Sequence, residues 1–139
     1  MPKPMSEKEA IAYIDTKPGW AMLSTIGSDG YPHTVPVGYF RVNNKIYMGC
    51  RDNTQKIVNI ERNPKVSVSL ESGSTMNDLK GVLLRGKAYV IRDDKDRLAI
   101  SIQAAQSRGV KKVDFPKTVS PNVVYIEFRN FKITSWNYR

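Results

Sequence analysis

The 139-residue chain has few of the residues that build metal centres and disulfide bonds. Its one cysteine, Cys50, cannot form a disulfide within the chain, and His33 is its one histidine. This composition excludes a zinc site of the usual cysteine and histidine type, and the carboxylates are too scattered to predict another metal site. So little cysteine is typical of a protein from a reducing cytoplasm, which is the location that we expect.

Long hydrophobic segments are also missing. No apolar run approaches the ~20 residues that a membrane-spanning helix needs, and the first residues, MPKPMSEKEAI, lack the apolar core of a secretory signal. We therefore expect no membrane partner. The chain is 40% hydrophobic and 25% charged, as ordinary globular proteins are, and its length predicts one domain over residues 1–139.

The common catalytic motifs are absent as well. The sequence contains neither a G-x-S-x-G nucleophile motif nor the glycine-rich loops that bind nucleotide phosphates. A Ser-His-Asp triad would have to use His33, which lies in a proline-flanked strand, and no close pair of carboxylates indicates glycoside hydrolysis. The catalytic residues stay unassigned, and in an enzyme of this sequence we expect a cofactor to supply the reactivity.

Acidic residues are outnumbered, since 22 Lys and Arg stand against 13 Asp and Glu and give a formal net charge of +9. Such a surplus favours anionic partners, which include a phosphorylated ligand, a nucleic acid and a membrane surface. The charge is not gathered in a tail, because residues 41–65 alone hold six basic and two acidic side chains. Dispersed charge fits a folded anion-binding patch or an ordinary solvated surface.

Hydrophobic patterning predicts a mostly β chain. Ser6 and Glu9 form a capping box that begins a first helix, which runs to Thr16 and is ended by Pro18 and Gly19. Further helices are predicted from Asn53 or Thr54 to Arg62 and from about Lys95 to Ser107. Strands are predicted at residues 20–26, 31–42, 45–50, 65–71, 80–91, 122–128 and 131–138, of which the last two form a hairpin.

Proline and glycine refine this prediction. Pro32 and Pro36 remove amide donors from the second strand, so we expect that strand at an edge or at a bulge. Gly81 and Gly86 lie within another strand and predict a bulge or a corner there. Together these features predict a split β-barrel with Greek-key connections, six to seven antiparallel strands and two or three short helices.

The segment from Cys50 to Lys56 leads from a strand into a helix. Helix N-termini attract anions because their first amides are free and the helix dipole is positive there. Arg51 precedes the turn, Thr54 adds a hydroxyl donor, and Lys56 lies in the first helical turn. The spacing leaves two interpretations open, which are a phosphate-binding turn and a normally capped helix with a solvated Arg and Lys.

Residues 20–70 resemble the pyridoxamine 5′-phosphate oxidase-like family of flavin and deazaflavin split-barrel reductases. The resemblance rests on WAMLSTIGSDGYPHTVPVGY and on IYMGCRDNTQKIVNIERNPKVSVSL. In order, these carry the family's D-G-x-P, P-V, T/S-x-K and N-P-x-V-S elements. The ending SWNYR also resembles the C-terminal strand of these proteins. The ordered set is more specific than any of its parts.

The resemblance implies a flavin-dependent oxidoreductase that acts on a small-molecule substrate. It implies a homodimer that holds FMN, or as the alternative a deazaflavin coenzyme, at the subunit interface. Lys56, Thr54 and Arg51 would hold the cofactor phosphate, and Gln55 stands where an Arg is common in the oxidases. The resemblance places Val35, Pro36, Val37, Gly49 and Cys50 along the cofactor ring, and Gly81 and Trp136 as contacts from the partner subunit.

The oxidases proper continue with an Arg- and His-bearing segment that binds the substrate phosphate, and its lack here argues against pyridoxamine phosphate as the substrate.

Two other hypotheses belong to different classes of protein. A barrel that holds flavin or haem without turnover is one alternative, in which His33 is the one histidine for haem. A basic barrel with seven tyrosines that binds nucleic acid is the other. Its tyrosines and cations do not interleave, so no nucleic-acid partner is expected.

Overall fold

A computed structural model describes residues 2–17 and 19–139. Its helices are α1 (Glu7–Thr16), α2 (Gln55–Arg62) and α3 (Asp94–Ser107). Its strands are β1 (Ala21–Ile26), β2 (Pro32–Val37), β3 (Phe40–Val42), β4 (Lys45–Arg51), β5 (Lys65–Ser72), β6 (Lys80–Ile91) and β7 (Val123–Asn137). Helix α1 ends where expected, although Pro18, which was expected to help end it, lies outside the described residues.

The seven strands form one antiparallel sheet in the order β2-β1-β5-β6-β7-β4-β3. Strand β7 pairs with β6 along most of its length and with β4 through residues 123–128. The two end strands, β2 and β3, do not pair with each other, so the curled sheet stays open along one seam. This architecture confirms the predicted split barrel.

The predicted strand over residues 31–42 is wrong in its length. The chain leaves β2 after Val37 and begins β3 at Phe40, at the opposite edge of the sheet. Between them the Tyr39 hydroxyl donates a hydrogen bond to the carbonyl oxygen of Ile14 in α1 (2.7 Å), which ties the crossing segment to that helix. The edge position predicted for β2 from Pro32 and Pro36 is confirmed.

The predicted C-terminal hairpin is also wrong, because β7 continues through residues 129–131. Asn130 adopts a left-handed φ of 56°, and the pairing with β6 shifts there between Arg85 and Lys87. Gly86 lies opposite this β-bulge, where a Cβ atom would stand 2.8 Å from the carbonyl oxygen of Arg129. The predicted bulge at Gly86 is therefore confirmed, and Asn130 forms part of the same bulge rather than a turn.

The core lies inside the curled sheet. Alternate residues of the central strands are fully buried there, among them Leu23, Val68, Leu84, Ile126 and Phe128. The opposite side of β2, β1, β5, β6 and β7 is the outer face. One row across it is Pro36, Met22, Ser69, Leu83 and Thr134, and the next is Thr34, Ser24, Ser67, Arg85 and Lys132.

Candidate functional site

The turn from β4 into α2 leaves the start of that helix without a side-chain cap. Thr54 occupies the N-cap position, but its hydroxyl donates to the carbonyl oxygen of Arg51 (3.1 Å) and none of its atoms caps the helix. The first helical hydrogen bond is donated by the Val58 amide. The amides of the first turn therefore have no acceptor inside the helix. Thr54 could donate its hydroxyl proton to a ligand only by giving up its bond to Arg51.

The charge at this helix start is positive. The first turn of α2 contains no acidic residue, and Lys56 within it is half-buried. Arg51 is exposed at the end of β4. Free amides, a positive dipole end and a lysine together favour a bound anion such as a phosphate group.

Arg92 neutralises Asp52, the acidic residue within the Arg51–Lys56 turn. Its guanidinium donates two hydrogen bonds to the Asp52 carboxylate, both 2.9 Å, and two to the Glu61 carboxylate, both 2.8 Å. These bonds lower the pKa of Asp52 and of Glu61. Arg92 directly follows β6, so it ties the turn and the later part of α2 to the end of that strand. Arg92 lies 40 positions from Asp52, and the sequence alone did not identify it.

A buried polar chain fixes α2 against β1. The Gln55 side-chain amide donates to the Asn59 Oδ1 atom (2.8 Å), and the Asn59 Nδ2 atom donates to the Thr25 hydroxyl (3.0 Å). Asn59 is fully buried and Thr25 nearly so. Gln55, which was expected near the phosphate, therefore orients its side chain along the helix, so that only its main-chain amide is left free at the helix start.

His33 adds a polar atom that lacks a partner. It lies in β2 opposite Thr25, on the side of the sheet that α2 covers. Within the described residues its Nδ1 atom is buried and makes no hydrogen bond. An orphaned buried nitrogen beside the polar chain of α2 fits a ligand atom at this place. His33 was not among the flavin contacts expected from the sequence, although its two-residue spacing from Val35 and Val37 puts all three on one face.

The residues expected along the cofactor ring divide between strand faces. In β2, Val37 is buried and Val35 half-buried, while Pro36 is exposed on the outer face. In β4, the side chain of Cys50 packs against the core, and its burial raises the pKa of the thiol. Gly49 faces the other way, where a Cβ would stand 3.3 Å from the Tyr125 ring. Because Gly49 and Cys50 face opposite sides of β4, the two residues could contact one ligand together only through their main-chain atoms.

Gly81 and Trp136 lie against each other. They are partners across β6 and β7, and a Cβ atom on Gly81 would stand 2.6 Å from the Trp136 ring. This pair is at the start of β6, whereas Arg92 follows its end. Eleven residues separate Gly81 from Arg92 along the chain, which is about 36 Å of extended strand. Within one chain, the structure does not bring Gly81 and Trp136 to the Arg51–Lys56 turn.

The described residues form neither a metal-binding cluster nor a membrane-spanning helix. Across residues 2–17 and 19–139, no three His, Cys, Asp or Glu side chains are grouped so that they could hold a metal ion. The helices described there are all too short or too polar to cross a membrane.

The open antiparallel barrel makes this a split-barrel protein. The uncapped, basic start of α2 suits a ligand that carries a phosphate. The family model for pyridoxamine 5′-phosphate oxidase matches residues 7–137. The chain therefore belongs to the pyridoxamine 5′-phosphate oxidase family, as the sequence motifs predicted. Among curated proteins, none matches the chain in sequence.

Solved structures share the fold over nearly the whole chain. A conserved hypothetical protein from Mycobacterium tuberculosis is 26% identical with a TM-score of 0.81, and the match covers 97% of this chain and 86% of that one. An FAD-binding protein from Mesorhizobium loti is 19% identical with a TM-score of 0.73, covering 98% and 97%. An F420 reductase is 17% identical with a TM-score of 0.65, covering 94% and 98%. At these identities the last two show the fold alone.

Proposed function

We propose that the protein is an oxidoreductase that binds FMN, with the flavin phosphate held at the N-terminus of α2. The observation that carries the proposal is the start of this helix, which has free amides and Lys56 but neither a cap nor an acidic residue. The orphaned Nδ1 atom of His33 lies on the same side of the sheet and supports it. The family and the shared fold with an FAD-binding protein point to the same cofactor class.

The chain's residues have separate tasks in this proposal. Lys56 places a compact positive charge near the phosphate, and the first amides of α2 donate hydrogen bonds to its oxygens. Arg92 holds the Asp52 carboxylate in two hydrogen bonds, which keeps a competing anion away from the phosphate. When bound, the flavin supplies hydride transfer to or from a small-molecule substrate.

The site is shared between two subunits of a homodimer in our proposal. Gly81 and Trp136 are separated from the Arg51–Lys56 turn by most of β6, so they can reach the flavin only from a second copy. The outer face offers apolar surface for that contact near the start of β1, where Met22 is 38% exposed and Trp20, two residues before it, is 66% exposed. Large exposed apolar side chains on one face are typical of an interaction surface.

A deazaflavin coenzyme is the second candidate. It carries a phosphate as FMN does, and the contacts of the α2 N-terminus select a phosphate rather than a particular ring. The fold shared with an F420 reductase supports this alternative. Parallel titrations with FMN and with the deazaflavin coenzyme distinguish the two, because the preferred cofactor binds more tightly and in a ratio of one per chain.

Subunit mixing tests the shared site. Lys56→Ala and Trp136→Leu chains, each weak in FMN binding as a homodimer, are combined into a purified mixed dimer. If each site takes Lys56 from one subunit and Trp136 from the other, one site of the mixed dimer is intact and binds one FMN. Lys8→Ala in place of Lys56→Ala is the matched control, because Lys8 occupies the same position in α1.

Two results would contradict this proposal. A wild-type chain that stays monomeric at the concentrations where FMN binds would remove the shared site. The other result is a mixed dimer that binds no more FMN than the Lys56→Ala and Trp136→Leu homodimers, although melting curves show that all chains are folded. It would show that Lys56 and Trp136 do not complement each other across the interface.

A further inference from the structure

A separate cavity of about 650 Å³ lies at the outer face where β1 ends and β5 begins. Its lining combines apolar atoms of Ile26, Pro32 and Val66 with the basic side chains of Lys65, Arg85 and Lys87. None of the residues expected to hold the flavin lines it. The cavity is therefore distinct from the proposed flavin site, and its lining indicates what kind of ligand fits there.

Each cation of this cavity stands opposite another cation in the sheet. Lys65 pairs with Lys87 across β5 and β6, and Arg85 pairs across β6 and β7 with Lys132, which lies outside the lining. Side chains of directly paired residues share a face with Cβ atoms about 5 Å apart, and like charges in such pairs destabilise a sheet. Two like-charge pairs side by side are a local conflict that a bound anion would relieve.

Within the described residues, no acidic side chain relieves the repulsion between these paired cations. Lys65, Arg85, Lys87 and Lys132 are exposed, and none of them forms an ion pair in the part of the chain that the structure covers. The nearest carboxylate in register is that of Glu127, two residues from the bulge. It already contacts Arg129 (3.5 Å) and Lys45 (3.7 Å) and accepts a hydrogen bond from the Tyr47 hydroxyl.

We propose that this cavity binds a small polyanion, a molecule with two or more carboxylate or phosphate groups. Three cations around a concave, partly apolar site suit a compact ligand whose charges are spread over a few ångströms. A nucleic-acid strand is the less suitable occupant. The one aromatic ring in the lining, Tyr89, is covered by the Arg129 guanidinium at 4.1 Å and is not free to stack on a base.

Calorimetry on the full chain without added flavin tests the site directly. Citrate and pyrophosphate are the two probes, and acetate at the same ionic strength measures the effect of a single charge. We expect citrate or pyrophosphate to bind with one site per chain, and acetate not to bind. Preference for citrate assigns the site to carboxylates, and preference for pyrophosphate assigns it to phosphates.

Paired variants locate the binding. Arg85→Gln with Lys87→Gln removes two cations from the cavity and should weaken binding of the favoured probe by about tenfold or more, because two charged hydrogen-bond donors are lost. Lys95→Gln with Lys112→Gln removes the same charge from exposed positions outside the lining and should change affinity by less than about twofold.

Thermal melting gives a readout that does not need the ligand. At low salt, Lys87→Gln should raise the melting temperature of the free protein by a few degrees, because it removes the repulsion with Lys65. Saturating citrate or pyrophosphate should raise the wild-type melting temperature more than that of the variant.

Three results would overturn the proposal. The first is that neither probe binds the wild type at millimolar concentration. The second is an equal loss of binding in the cavity variant and in the surface control, which would assign the effect to net charge. The third is that a twelve-residue oligothymidylate binds more tightly than both probes, which would identify a nucleic-acid surface.

Discussion

The three helices of this protein start in two different ways. The second residue of each helix is a lysine: Lys8 in α1, Lys56 in α2 and Lys95 in α3. In α1 and α3 the lysine is flanked by acidic residues, which are Glu7 and Glu9 in α1 and Asp94 and Asp96 in α3. Ser6 and Asp93 cap those helices with their side chains, whereas α2 has neither a side-chain cap nor an acidic first turn.

The difference shows that a lysine at a helix start does not by itself mark an anion site. Side-chain caps and acidic first turns satisfy the free amides and the dipole of α1 and α3, which typically stabilises a helix by about 0.5–2 kcal/mol. Helix α2 forgoes this stabilisation and keeps its donors and charge available. A protein that gives up stability at one helix start only is expected to use that start for binding.

The largest effect should come from making α2 start like its neighbours. Thr54→Asp supplies a cap and a negative charge, so we expect FMN affinity to fall by about 100-fold while unfolding free energy rises by about 1 kcal/mol. FMN titration and urea unfolding measure the two changes. Loss of both affinity and stability would instead indicate a disturbed fold, and unchanged affinity would remove this helix start from the phosphate site.

Removing the lysine should have the next largest effect. Lys56→Ala should weaken FMN binding by about 10- to 50-fold, the loss expected for one charged contact. Lys8→Ala and Lys95→Ala, at the same helical position, should leave affinity unchanged. The three variants are compared by fluorescence titration, and an equal response in all of them would mean that only the net charge matters.

Arg92 should matter less for binding but should leave a signature in the pH dependence. Arg92→Met frees Asp52 and Glu61, so we expect about fivefold weaker FMN binding. The bonds from Arg92 lower the pKa of both carboxyls in the folded state, so their stabilisation is present above the unfolded values of 3.8 and 4.5. It is lost as the pH falls below them.

Melting curves between pH 7 and pH 3 therefore test the Arg92 contacts. The wild type should melt at a higher temperature than Arg92→Met at pH 7, and this advantage should shrink as the carboxyls become protonated. A constant difference over the whole range would show that the Arg92 contacts contribute through packing and not through charge.

His33 should give the smallest effect. His33→Ala removes the buried nitrogen that lacks a partner, and we expect FMN affinity to fall by about two- to fivefold for the loss of one neutral hydrogen bond. Thr34→Ala changes the next residue, whose side chain bonds Ser24 on the outer face, and serves as the control. If both variants bind FMN like the wild type, His33 does not contact the ligand.

Local patterns in the sequence predicted much of the fold. The capping box of α1 is confirmed in the hydrogen bonds of Ser6 and Glu9, and the edge position of β2 follows from two prolines that donate no hydrogen bond. The error near the C-terminus lies where one residue has two structural uses. Asn130 is compatible with a turn and with a bulge, and only the partner strand, with Gly86 opposite, selects the bulge.

The candidate site also has a part that the sequence predicted and a part that it could not predict. The Arg51–Lys56 turn is contiguous in sequence, so it could be recognised from spacing and resemblance. The role of Arg92 could not, because its contact with Asp52 spans 40 residues and depends on where β6 ends. The missing partner of His33 depends on which groups the fold brings near it, and no sequence pattern shows that.

The most direct test of the phosphate site compares FMN with riboflavin, which has the same ring without the phosphate. Wild-type protein should bind FMN at least about 100-fold more tightly, a difference of about 2.7 kcal/mol. Thr54→Asp should remove most of that difference and leave riboflavin affinity unchanged. Equal affinity of the wild type for the two flavins would contradict the account, because the α2 N-terminus would then not hold the phosphate.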